Sequence, residues 1–259
     1  MKSAHLALIL ASVSILGCSA SSQELPAGTV LPVMTSTTLN AAKSKPGDKL
    51  SARLMQDVVL PSGEKIRRGA KLEGRVVQVS PATGARASVA VRFDRLISAG
   101  RQIPLTVSLR ALASMQDVFD AQLPTGTFDD YGTSISDWTT VQVGGAAVYL
   151  GDATVRDGMQ IIGKAPGWGI VIAKLVAAPK RGCEATQSES DREQSLWVFS
   201  PWACGTYGLG DLTIAHHGVT APVGTIELTA PAPFGVRGGS GWLLRVVADE
   251  GSVQPPAGN

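Results

Sequence analysis

Between Leu50 and Ala111, apolar residues recur at every second position, and that period restricts this stretch to β-strands. Leu50, Ala52, Leu54, Gln56, Val58 and Leu60 share one parity, while Lys49, Ser51 and Arg53 open the other. Ala70, Leu72, Gly74 and Val76 alternate with Lys71, Glu73 and Arg75. Ala87, Val89, Val91 and Phe93 alternate with Ser88, Arg92 and Asp94. Ile103, Leu105, Val107, Leu109 and Ala111 alternate with Thr106, Ser108 and Arg110. Successive side chains of a strand point to opposite faces, so each run offers one apolar face to a core. The apolar phase slips between Asp94 and Leu96, which predicts a bulge or bend there. Turn signals at Pro46-Gly47-Asp48, Pro61-Ser62-Gly63, Pro81 to Gly84 and Ala99-Gly100 separate the runs. Short strands at this spacing predict a small β-barrel or sandwich over residues 25–114. Phe93 is the single aromatic residue between Glu24 and Ser114, so the aromatic girdles of a membrane-spanning barrel are missing.

Several short motifs stand in a fixed order along this half. They are Leu25-Pro26-Ala27-Gly28-Thr29-Val30, Pro46-Gly47, Gln56-Asp57-Val58, Arg68-Gly69-Ala70-Lys71-Leu72-Glu73-Gly74, Arg92-Phe93-Asp94-Arg95-Leu96 and Gly100-Arg101-Gln102-Ile103-Pro104-Leu105. In that order they resemble the C-terminal β-barrel of the TrbI-like proteins of conjugation and type IV secretion channels. The resemblance covers residues 25–112. It implies a barrel domain and an envelope setting. The apolar, helix-forming insertion by which that family crosses the outer membrane is not visible, so the resemblance implies a barrel without a pore.

Residues 115–137 lose the period and are rich in Asp, Gly and Thr. They are read as a linker with a short helix near Met115–Ala121. All five tryptophans follow it. Strand-like runs then continue at 139–143, 146–150, 159–162, 169–176, 196–199, 211–215, 225–229 and 242–247, which predicts a second β-rich domain over 138–248. Ile170 to Ala178 is a mostly apolar run, read on its length as a buried central strand. Pro222-Val223-Gly224-Thr225-Ile226 faintly echoes Pro26-Ala27-Gly28-Thr29-Val30. Residues 249–259 are read as a frayed tail. The fold class expected for the whole chain is therefore all-β.

The chain opens with Lys2 and an apolar run from Leu6 to Leu16. A membrane-spanning helix needs about 20 apolar residues, so this run fits the core of a secretory signal peptide over 1–17. Ile15-Leu16-Gly17-Cys18 resembles a bacterial lipobox, which implies cleavage before Cys18 and its lipidation. Acyl chains contribute about 0.8 kcal/mol of membrane affinity per buried CH₂, so a multiply acylated Cys18 would anchor the protein. Ordinary cleavage near 20–22, releasing a periplasmic protein, stays open. Ser19 resembles the outer-membrane sorting residue of Gram-negative lipoproteins. Of the three cysteines, lipidation of Cys18 leaves Cys183 and Cys204. In an oxidising compartment these are expected to pair, with residues 182–194 as a polar surface loop tied back by Cys204.

The net charge of +2 hides a split. Glu24 to Ser114 carries 14 Lys/Arg and 6 Asp/Glu, whereas Met115 to Asn259 carries 8 and 15. If the basic half has a ligand, Arg67, Arg68 and Lys71 are the candidate contacts, with anionic envelope polymers or lipid headgroups as the partner. The half lacks stacking aromatics and the chain is exported, so nucleic acid is not expected. His216 and His217 are adjacent, and strand neighbours face opposite ways, which argues against one shared metal or active site. Gly238-Gly239-Ser240-Gly241-Trp242 breaks the G-x-S-x-G pattern of a nucleophile elbow. Cys204 to Gly210 lacks the lysine of a phosphate loop. Asp129-Asp130 is read as a solvated turn. No cofactor, metal or catalytic residue is expected. The lead expectation is a non-enzymatic envelope structural or interaction protein with a membrane tether. A component of a conjugation or secretion-like assembly, with self-association open, and an envelope hydrolase are its rivals.

Overall fold

A computed structural model describes residues 24–80, 86–122, 138–150, 153–167, 170–177, 183 and 192–248. The leader with Cys18, the Asp129-Asp130 pair and the tail from 249 lie outside the described residues. Among the described residues the chain is all-β apart from one short helix. Nine strands come first: β1 (Val30–Thr35), β2 (Leu39–Asn40), β3 (Lys49–Leu54), β4 (Val58–Val59), β5 (Lys65–Ile66), β6 (Lys71–Ser80), β7 (Ala87–Ser98), β8 (Arg101–Pro104) and β9 (Val107–Ala113). Helix α1 (Met115–Asp120) follows where a helix was expected, with the Ser114 hydroxyl accepting from the Asp117 amide as its N-cap. Six strands come next: β10 (Trp138–Gln142), β11 (Gly145–Tyr149), β12 (Thr154–Asp157), β13 (Gln160–Gly167), β14 (Ile170–Ala173) and β15 (Gln194–Leu196). The last five are β16 (Gly205–Tyr207), β17 (Thr213–His216), β18 (Ile226–Ala230), β19 (Gly235–Val236) and β20 (Gly241–Val246).

The main sheet runs β16-β9-β20-β1-β3-β6-β7-β18-β17, with β8 added to β7, and curls into a nearly closed barrel. The strands after Cys204 return to the barrel, so the separate unit that follows 115–137 ends at β15 and does not run on to 248. The cause is strand pairing. β20 lies between β1 and β9, with Val33 opposite Trp242 and Ala111 opposite Leu243. β18 covers the far edge of β7, with Val89 opposite Leu228. Strands β10 to β15 form a separate six-stranded sheet, curled and inserted between β9 and β16, while β2 with β19 and β4 with β5 form two-stranded ribbons. The echo of the P-x-G-T motif has a structural counterpart. Thr29 donates to the Pro26 carbonyl at 3.1 Å and Thr225 to that of Pro222 at 3.0 Å, with Gly28 and Gly224 both at positive φ. The same tight turn thus leads into β1 and β18.

The barrel interior is filled with side chains. Trp242 and Phe93 are fully buried and meet edge to face, their ring centroids 5.9 Å apart. Such a contact contributes about 0.5–1.5 kcal/mol beyond the burial of the two rings. Leu31, Leu50, Leu54, Leu72, Leu96 and Leu109 pack around the same core. The phase slip resolves as a bulge: Glu73 faces Arg95 and Gly74 faces Phe93, leaving Asp94 as the extra residue. A Cβ on Gly74 would stand 2.1 Å from the Arg92 carbonyl oxygen, so this crossing requires glycine.

Two expectations change. All seven residues of β9 are buried, including Ser108 and Arg110, which alternation placed in solvent. The barrel core takes one face of the strand, and the inserted sheet with α1 helps to cover the other. The apolar run from Ile170 is not a central strand buried on both faces. Strand β14 stops at Ala173 and buries alternate residues, because its sheet has one covered face. Leu175 then leaves the strand and packs in the seam between the two sheets.

Candidate functional site

The three cations singled out in the sequence lie on the turn from β5 to β6, and each has a partner of its own. Asp57 organises the turn. Its carboxylate accepts the Arg68 amide at 2.8 Å and the Arg67 guanidinium at 3.2 Å. The Arg68 amide bond holds the Asp57 carboxyl below its ordinary pKa; burial pulls the other way, and the Arg67 hydrogen bond and charge add to the lowering. The Arg68 guanidinium lies over the Trp197 ring, 5.7 Å from its centroid. Lys71 donates to Glu73 at 2.6 Å, and Glu73 also takes Arg95 at 2.6 Å. Those two cations, Lys71 first, lower the Glu73 pKa. Arg67, Arg68 and Lys71 thus point at a carboxylate, a ring and a second carboxylate. They do not converge on one ligand-sized position. Trp197 was beyond sequence reasoning as a partner, because it approaches from the inserted sheet.

The densest polar construction is the seam where the inserted sheet meets the barrel. Arg110 is the extra residue of a bulge in β9, between Ala111 opposite Leu243 and Leu109 opposite Leu244. The bulge turns its side chain into the seam. There the buried guanidinium donates to the Ala203 carbonyl at 3.1 Å and to that of Val176. Gln194 imitates a strand edge: its Oε1 accepts the Val30 amide at 2.6 Å and its Nε2 donates to the Gly28 carbonyl at 3.1 Å. Gln56 donates to the Ser195 carbonyl at 2.5 Å, and Gln142 to that of Trp197 at 2.7 Å. Each bond supplies a partner to a backbone group that burial would otherwise leave unsatisfied, which typically costs about 1–3 kcal/mol. Val30, Ala111, Leu243, Val143, Leu196 and Phe199 form the apolar floor of the seam.

Cys183 and Cys204 form a disulfide at this seam, with Cα atoms 5.6 Å apart. That spacing lies within the usual range of about 4.4–6.8 Å. Cys204 is buried one residue before β16, so the bridge fixes residue 183 beside the point where the chain re-enters the barrel. Tyr207 closes the corner by accepting the Cys204 amide at 2.9 Å.

His216 and His217 act on different elements. The Nδ1 of His217 is 2.7 Å from the Leu109 carbonyl, and the Leu109 amide donates to the His217 carbonyl at 2.8 Å. This double contact joins the β17 end of the sheet to β9 and closes the barrel on one side. The Nδ1 of His216 sits 2.8 Å from the Thr225 carbonyl, and its Nε2 is 3.0 Å from the Thr220 hydroxyl. Both rings are half-buried and engaged, rather than loose at a solvent-facing strand end. Ser240, in the glycine-rich segment, is buried in the turn before β20. Among the described residues no group of three or more His, Cys, Asp or Glu side chains could hold a metal ion.

Two open recesses of about 540 and 550 Å³ flank the inserted sheet and share Lys174 and Glu193. The first lies against the barrel at Thr29, Leu60 and Pro61. The second reaches β13 at Gln160, Ile161 and Lys164 and is lined by Trp202. No family model matches the chain, and no curated protein matches it.

Two outcomes follow from this geometry. Replacing Cys183 with Ser should lower the unfolding free energy by about 3 kcal/mol, read by urea denaturation of the oxidised protein, because the bridge closes a loop of separation 21. Asp57 and Glu73 have lowered folded-state pKa values, so their stabilisation is present above the ordinary carboxylate range. It is lost as pH falls through the lowered values. Asp57→Asn should flatten the acid side of a stability-against-pH curve and leave the neutral side parallel to the parent.

Proposed function

We propose that the protein is a non-enzymatic structural or interaction component of a bacterial cell envelope, exported and tethered through a lipid on Cys18 to the periplasmic face of the outer membrane. The observation that carries this reading is what the buried and half-buried polar side chains are bonded to. Arg110, Gln142, Gln194 and His217 each engage the backbone of another element. A catalytic centre aims such groups at a cleft where a substrate can reach them. Here Arg110 and Gln194 fasten the inserted sheet to the barrel, and Gln142 and His217 tie together elements within each, as a scaffold requires. The disulfide favours an oxidising compartment. The leader and the lipobox resemblance supply the route out of the cytosol and the anchor.

The filled barrel core, with Trp242 and Phe93 at its centre, suits a load-bearing or docking module better than a conduit. A second reading places the protein in a conjugation or type IV secretion-like assembly. It is favoured by the ordered TrbI-like motifs, whose P-x-G-T segment forms the turn into β1. The two readings share the envelope location and differ in oligomeric state.

In Gram-negative cells carrying the gene, the protein should incorporate labelled palmitate and fractionate with the outer membrane, and Cys18→Ser should move it to the soluble periplasm. Crosslinking in intact cells should capture an envelope partner. An unlipidated protein found in the cytosol with its leader intact would contradict the reading. Ring-shaped oligomers in native extracts would select the assembly reading over the lone scaffold.

A further inference from the structure

The inserted sheet carries an apolar hairpin tip that neither core uses. Met159, in the turn between β12 and β13, is 97% exposed, and Ile161 beside it is 62% exposed. A large apolar side chain this open normally finds cover in a core, and two together at a hairpin tip are a surface feature that calls for a contact. Gly158 has φ +57°, and a Cβ there would meet nothing within 4 Å, so the turn projects into open space.

Among the described residues, the charges around the tip have one dominant sign. Arg156 stands opposite Ile161 across the hairpin, and Lys164 stands opposite Thr154 and Ile172. Both cations are exposed, and neither makes an ion pair among the described residues. Lys174 extends the cationic surface into the second recess. The carboxylate nearest the tip in sequence, Asp157, is turned to the opposite face. Its Oδ2 lies where a Cβ on Gly145 would approach to 2.7 Å, next to the Ser200 hydroxyl. Among the described residues, Glu193 on the rim of the recess is the acidic side chain on this side. The recess, about 550 Å³, also contains the Trp202 indole, whose buried N–H has no partner among the described residues.

We infer that this hairpin is a membrane-contact site: Met159 and Ile161 enter the interfacial layer of an anionic bilayer while Arg156, Lys164 and Lys174 take its lipid phosphates. Interfacial binding of this kind adds buried apolar area to electrostatic attraction, and long cationic side chains keep their heads at the phosphate level while their stems run along apolar surface. The site is separate from Cys18. It rests on the envelope reading for its biological setting, and its chemistry is testable without it. A tether and a second contact would together fix the orientation of the protein on the membrane, which a single point of attachment does not do.

The test uses the full chain with Cys18→Ala and Met159→Cys, the latter carrying an environment-sensitive thiol dye. The remaining cysteines are bridged, so the dye reports on the tip whatever the leader does. Vesicles of phosphatidylcholine with phosphatidylglycerol should shift the dye emission to the blue and expose it to quenching by brominated acyl chains. Phosphatidylcholine alone should not. Arg156→Gln and Lys164→Gln should each weaken the vesicle-dependent shift about fivefold, and high salt should do the same. In the unlabelled background, Ile161→Ser should weaken vesicle binding relative to an exposed-loop control such as Ser62→Ala. A dye that stays water-exposed while the chain co-sediments with anionic vesicles overturns the inference and leaves the tether untouched. A blue shift that depends on protein concentration without vesicles also overturns it, and assigns the tip to self-association.

Discussion

Strand β20 carries Trp242 into the barrel and Leu243 out of it, so one strand joins two cores. Trp242 packs with Phe93 in the interior, while Leu243 packs with Phe199 and Val143 in the seam. Its backbone pairs with β1 on one side and β9 on the other. Remove this strand and β1 loses a neighbour, the barrel loses its largest side chain, and the inserted sheet loses part of its floor. A strand that satisfies backbone pairing and apolar burial on both faces at once couples elements more than 200 residues apart into one cooperative unit.

The polar architecture serves the same coupling. A bulge in β9 turns Arg110 out of the ladder and into the seam. Burying a guanidinium is costly unless its donors are satisfied, and the Ala203 and Val176 carbonyls supply acceptors there. Gln194 completes the start of β1, ahead of its pairing with β3, by offering an acceptor to Val30 and a donor to Gly28. His217 does the equivalent at the other closure, against Leu109. Since hydrogen bonds require geometry while apolar contacts tolerate sliding, these side chains set the register of docking and the apolar floor supplies most of its free energy.

Local signals in the sequence were informative and long-range ones were not. Period two located β3, β6, β7 and β9, and the break at Asp94 marked the bulge, because alternation is a property of the strand itself. The short helix read near Met115–Ala121 was legible in the same local way. Alternation says nothing about which strand pairs with which, so the return of β16 to β20 to the barrel was invisible. The composition shift at residue 115 marked the start of an insertion, and a single sequence gives no sign of where an insertion ends. Arg110 and Ser108 looked solvent-facing because polarity was the only cue, and the groups that receive them, the Ala203 and Val176 carbonyls and the Arg245 carbonyl, come from far along the chain. Arg67, Arg68 and Lys71 formed a cluster in sequence, but Asp57, Trp197 and Glu73 separate them in space.

Native-state hydrogen exchange along the full chain tests the coupling directly. The amides of β1, β9 and β20 should open together with one free energy, equal to that of global unfolding, and their denaturant dependence should be the same. The contrary result would be strong protection across 30–113 with β16 to β20 exchanging through a separate, low-energy opening. That would mean the N-terminal half holds its barrel alone and the C-terminal strands are an appendage.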